Sequence, residues 1–160
     1  MIKAHLGSKQ VARVVYGAII GLALIVVLEK HPPAAGTMIA SLLGTAVAVG
    51  LAELYAEIVG IETSERHRIR RNQVGELIDD SLAVAFGVAF PAVFFLLAAA
   101  GAIGIDTAFD LAKWTGLGLI AFYGYAAARY AGNPPARALA HGAGAAAIGA
   151  ALIAFKALVH

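Results

Sequence analysis

Two stretches of this chain, residues 32–52 and 81–105, contain no charged side chain. Each is about as long as the roughly 20 residues a helix needs to cross the hydrocarbon of a bilayer. The other charges are clustered, so three further runs are also long enough or nearly so. Five spans are expected, at about 11–28, 33–58, 74–100, 111–128 and 135–159. Composition agrees: 61% of the residues are hydrophobic and 14% charged, against roughly half and one quarter in soluble domains. The segments show no period-two alternation and are far longer than the roughly ten residues of a barrel strand. The expected fold is therefore an all-α membrane protein, a single five-helix transmembrane domain over 1–160.

The first run follows Lys3, Lys9 and Arg13, the order of a secretory signal. It ends on Glu29, Lys30 and His31 with no small-residue cleavage site, and four more apolar segments follow. It reads as a first span. Lysine and arginine in the short loops then set orientation. They are concentrated at the N-terminus, at Arg66, Arg68, Arg70 and Arg71, and at Arg129 and Arg137, whereas the other side carries Lys30, Lys113 and Lys156. The N-terminus is expected in the cytoplasm and the C-terminus on the opposite side.

Small residues are abundant within the spans. In lipid, close van der Waals contact holds helices together, and small side chains permit it. Gly17 and Gly21 have that spacing, as do Ser41, Thr45, Ala48 and Ala52, and the last span, "HGAGAAAIGAALIA", is small on almost every side. Gly17 and Gly21 are expected at a subunit contact. Pro91 should bend the third span, and Asp106 is a candidate N-cap for the fourth.

The stretch "LAELYAEIVGIETSERHRIRR" poses the functional question. About 20 residues from Pro33 bring the chain to the inner boundary near Glu53. No proline interrupts the sequence up to Arg71, so the second helix is expected to project from the bilayer. Glu53, Glu57, Ser64 and His67 then share one face. The third span enters from the same side with "ELIDDS", placing Glu76, Asp79 and Asp80 at steps of three and four. Carboxylates with one imidazole suit Mn²⁺, Fe²⁺, Mg²⁺ or protons better than a soft ion. The alternative is that these acids pair with Arg66, Arg68, Arg70 and Arg71. Ionisable groups at membrane depth are costly, about 2.5–3.5 kcal/mol at the centre on insertion scales, and mark functional positions. Glu53 is the strongest candidate on that ground.

Several stretches resemble the vacuolar iron transporter family: "RVVYGAIIGLALIVV", "GLAELYAEIVG", "AFGVAFPAVFF" with Gly87 and Pro91, and "GYAAARYAGNPPARALAHGAGAAAIGAALIAF". The resemblance covers nearly the whole chain. It implies five transmembrane helices, a homodimer and export of Fe²⁺ or Mn²⁺ from the cytosol against protons. Where the family has a polar residue and an aspartate after "YG", this chain has Ile19 and Ile20, and Ile61 stands where the family has a metal-binding methionine. The family's large cytoplasmic domain is reduced to a short link. Of the family's ligands, Glu53 carries over, with Glu65 a second candidate.

The leading expectation is a small divergent divalent-cation transporter, proton-coupled, in which Glu53 lines the path. Glu57, Glu65, His67, Glu76, Asp79 and Asp80 would gather the ion at the cytoplasmic side. The competing one is a non-transporting scaffold or accessory subunit of the same fold, favoured by a first span in which Tyr16 alone is polar between Val14 and Leu28. Partners expected are the lipid bilayer of a prokaryotic-type inner membrane, a second copy and the cation. Nucleic acid is not expected, since the positive-inside rule already accounts for the arginines. No nucleophile, base and orienting group recur together near one membrane face, so no enzyme is expected. Zero cysteines remove thiolate chemistry.

Overall fold

A computed structural model of the protein describes residues 8–65 and 71–159. Every regular element among them is an α-helix: α1 (Ser8–Leu28), α2 (Ala35–Glu65), α3 (Arg71–Ala89), α4 (Ala92–Ala99), α5 (Ile105–Tyr130) and α6 (Pro135–Val159). Three helices are long and apolar enough to cross a membrane, over Gln10–Leu28, Ala35–Thr63 and Pro135–Phe155. The bent pair α3 and α4 makes a fourth if it counts as one span. α5, with Asp106, Asp110, Lys113 and Arg129, is outside that set, so three or four such spans stand where five were expected.

The α3–α4 break lies at Pro91, as the sequence led us to expect, and the two helices diverge by 46°. Proline has no N–H to give the Gly87 carbonyl, and its ring crowds that carbonyl. Helix α4 ends on Gly101 at φ 73°, where the Ala102 N–H reaches back to the Leu97 carbonyl at 2.9 Å. Gly132, at φ 81°, ends α5 in the same way, with the Asn133 N–H on the Ala128 carbonyl at 3.1 Å. Both are left-handed caps that glycine adopts without a Cβ penalty. Asp106 is not the N-cap of α5. That position is Gly104, and Asp106 sits in the first turn without a side-chain cap bond, where its charge complements the helix dipole.

α1 is central, packing on α3, α5 and α6, while α3 lies between α1 and α2. α4 crosses to touch both α2 and α5. This closes one end of the bundle around Ile25, Met38, Leu42, Phe95 and Phe109, with the two phenyl rings edge to face at 5.0 Å. α1 and α2 touch little along their length.

The α1–α3 crossing depends on glycine. A Cβ on Gly17 would stand 2.1 Å from the Val84 carbonyl oxygen, and one on Gly87 would stand 2.4 Å from that of Val14. A Cβ on Gly21 would lie 3.0 Å from the Val88 oxygen. These glycines, Gly17 and Gly21 included, therefore bring α1 and α3 together inside the protomer. α5 and α6 meet similarly, where a Cβ on Gly142 would approach the Ala121 oxygen at 2.7 Å.

Gly87→Ala should lower stability by about 1–3 kcal/mol, the usual cost of forcing extra volume into a packed site. Gly118→Ala, with nothing within 4 Å, should be neutral or slightly stabilising. Thermal unfolding of both variants in one detergent compares them directly.

Candidate functional site

α2 runs unbroken for 31 residues, about 46 Å at 1.5 Å per residue, which exceeds the roughly 30 Å of hydrocarbon. The helix therefore continues past Glu53 and Glu57 to Glu65, consistent with the projection the sequence suggested. Residues four apart lie on one helix face, so Glu53 and Glu57 both turn toward the second turn of α1. Arg13 is waiting there. One guanidinium nitrogen pairs with Glu53 Oε1, and the other donates to Glu57 Oε1 at 3.1 Å.

The three side chains retain 27%, 17% and 23% of their exposure for Arg13, Glu53 and Glu57. The cluster is thus mostly withdrawn from solvent, and its attraction is screened less than a surface pair's. Glu57 Oε2 is buried and has no hydrogen-bond partner among the described residues. Beside the cluster lies a cleft of about 380 Å³ between α1 and α2, lined by Tyr16, Ala48, Val49, Ala52, Glu53 and Ala56. Two carboxylates against one guanidinium leave one negative charge unmatched if both acids are ionised. The arrangement can therefore take a proton or an added cation, or exchange the guanidinium for a divalent ion.

No other described acid is paired with Arg13. Glu76 and Asp79 are exposed on α3. Asp80 is buried at 8% exposure, one turn before Val84, the residue nearest Gly17. Glu65 closes α2 with its side chain outside the described residues, and His67 lies outside them altogether, as do Arg66, Arg68 and Arg70. Among the described residues no three His, Asp or Glu side chains gather in a way that could hold a metal ion. The separation follows from α3 packing against both α1 and α2 while turning Glu76 and Asp79 away from them.

A second charged cluster sits at the other end of α1. Lys113 of α5 pairs with Glu29, just beyond α1, and with Asp110 at 3.1 Å. Sixteen residues separate Arg13 from Glu29, about 24 Å along a helix, so the two clusters bracket the uncharged body of α1. Sequence reasoning missed both partners. Arg13 had been read only as an orientation signal, although it stands as far from its apolar run as Glu53 does from its own. For Lys113, the Asp110 three residues earlier was the available signal.

The described residues form an all-helical protein with several helices long and apolar enough to span a membrane, consistent with a multi-pass membrane protein. No protein-family model, curated protein or solved structure gives a significant match to the chain.

Removing Arg13 strands two partly buried carboxylates, so Arg13→Met should cost about 1–3 kcal/mol, between the values for exposed and buried pairs. Adding Glu53→Gln and Glu57→Gln should recover most of that loss. Urea or SDS titration of single and triple variants in mixed micelles checks both directions.

Proposed function

We propose that the protein is a small divalent-cation transporter, proton-coupled and selective for Fe²⁺ or Mn²⁺, with Glu53 and Glu57 as its cation-handling pair and Arg13 as the group that occupies the site when no ion is bound. The observation that carries this reading is the unmatched charge: two carboxylates face one guanidinium beside an open cleft, and the Glu57 Oε2 atom is buried with no hydrogen-bond partner among the described residues. Oxygen ligands suit these hard or borderline ions. The likeness of "GLAELYAEIVG" to the vacuolar iron transporters points the same way.

The proposed topology has five crossings with the N-terminus in the cytoplasm. α5 is the crossing that hydropathy alone does not support. It is 26 residues long, about 39 Å, and exposes Trp114, nine residues in from Ile105, and Tyr130 at its C-terminal end, at 67% and 60%. Aromatic residues of this kind favour the two membrane interfaces. Lys113, one residue from Trp114, has its charge met by Glu29 and Asp110.

The proposed homodimer uses the outer face of α2, because the α1 glycines are already occupied by α3. Every fourth residue from Gly36 to Gly60 is glycine or alanine, and all are exposed. This is the spacing that lets helices approach closely in lipid. That face borders the cleft through Ala48, Ala52 and Ala56, so a second copy would wall the cation path.

The second reading is a membrane scaffold, favoured by Arg13 bonding both acids and by the lack of a wider carboxylate cluster among the described residues. Sealed vesicles containing the pure protein separate the two. Transport requires Mn²⁺ or Fe²⁺ uptake with opposite proton movement, and Glu53→Gln should slow it at least about tenfold, the effect of losing roughly 1.4 kcal/mol of ion interaction. Absence of flux for Mn²⁺, Fe²⁺ and protons would sink the transport reading in favour of the scaffold. The topology has its own check. In right-side-out vesicles, a cysteine at Ala102 should react with an impermeant maleimide, and one at Asn133 should react only after the membrane is opened.

A further inference from the structure

Two described cations are tied to acidic side chains of this chain, and two others are not. Arg13 is held by Glu53 and Glu57, and Lys113 by Glu29 and Asp110. Arg129, in the last turn of α5, and Arg137, in the first turn of α6, are both exposed and carry no ion pair among the described residues. Their own stretch offers none: from Leu111 to the C-terminus the chain has no aspartate or glutamate.

Position makes this imbalance consequential. The apolar span of α6 begins at Pro135, so Arg137 stands within the first turn of a membrane-spanning segment and the α5–α6 turn lies at its boundary. An arginine there can keep its head at the polar surface while its stem covers apolar surface, and it still needs a counter-charge. The turn also holds the Arg129 side chain in place. The Arg129 guanidinium donates to the Asn133 carbonyl at 2.8 Å, which folds it over the turn. His141 Nδ1 lies 3.0 Å from the Arg137 carbonyl, one helical turn on. Tyr130, exposed beside Arg129, adds a phenolic hydroxyl at the interface.

We propose that the α5–α6 turn binds the headgroup of an anionic phosphoglycerolipid, with Arg129 and Arg137 on its phosphate. Guanidinium groups match phosphate oxygens in a forked geometry that lysine cannot reproduce, and basic pockets between helices at a membrane surface take anionic headgroups. The site commits to a lipid because α6 enters the apolar phase directly from the turn and leaves the arginines at headgroup depth. It does not depend on the transport reading.

The test uses the full chain in nanodiscs or detergent, with lipid retention read by native mass spectrometry and by thermal stabilisation. Phosphatidylglycerol should be retained in preference to phosphatidylcholine, and the preference should fall as salt rises. Arg129→Gln with Arg137→Gln should weaken phosphatidylglycerol binding about tenfold or more, at the field strength known for basic residues near anionic lipid. Phosphatidylcholine retention and helical circular dichroism should stay unchanged. Arg137→Lys, which keeps the charge and loses the fork, should fall between parent and double variant. Equal retention of the two lipids by the parent would overturn the proposal, as would a double variant that keeps the full preference. Displacement of the lipid by millimolar inorganic phosphate would also overturn it, since that marks a site for a soluble anion.

Discussion

The tightest of the glycine contacts is between backbones. At the α1–α3 crossing, Gly17 lies against the Val84 carbonyl and Gly87 against that of Val14, with separations that leave no room for a methyl group on either side. In lipid the gain from excluding water is gone, so helix association relies on contact of this kind. The rest of the fold depends on it. With α3 drawn onto α1, α2 is held mainly by α3 and touches α1 little. The third span then bends at Pro91, one turn past Gly87, which swings α4 across to α2 and α5 and closes that end with Phe95 and Phe109.

The same geometry places the charges. Because α3 separates α1 from α2 over most of their length, a cleft opens between them at the end away from α4. Arg13 reaches across it to Glu53 and Glu57. At the far end, α5 brings Lys113 to Glu29. The central helix is therefore apolar and glycine-packed in its body and tied by ions at both ends. Charged groups at the edge of a bilayer are tolerated when paired in this way. An ion pair that holds two carboxylates with a single guanidinium is also poised for exchange, since its charge is incompletely matched.

Arg129 and Arg137 stand in a stretch with no acid after Asp110 and have no ion pair among the described residues. Arg13 and Lys113, by contrast, join helices within the protomer.

Several features were fixed by local order alone. Uncharged runs specify membrane helices because an unsatisfied backbone in hydrocarbon is too costly. Pro91 specifies the bend, because a missing N–H and a steric clash act on the residue's own turn. The uninterrupted helix through Glu53 and Glu57 was legible for the same reason, as was their shared face. Only the tertiary structure decided which small residues join helices inside the protomer, that Arg13 meets Glu53 and Glu57, and that Glu76 and Asp79 stand exposed on α3. Those outcomes depend on which helix lies between which others, and an apolar helix rich in alanine and glycine offers nearly equivalent faces on every side. Periodicity therefore marks where each helix runs, while the rotation that brings one charge to another is set by close packing between segments distant in the chain.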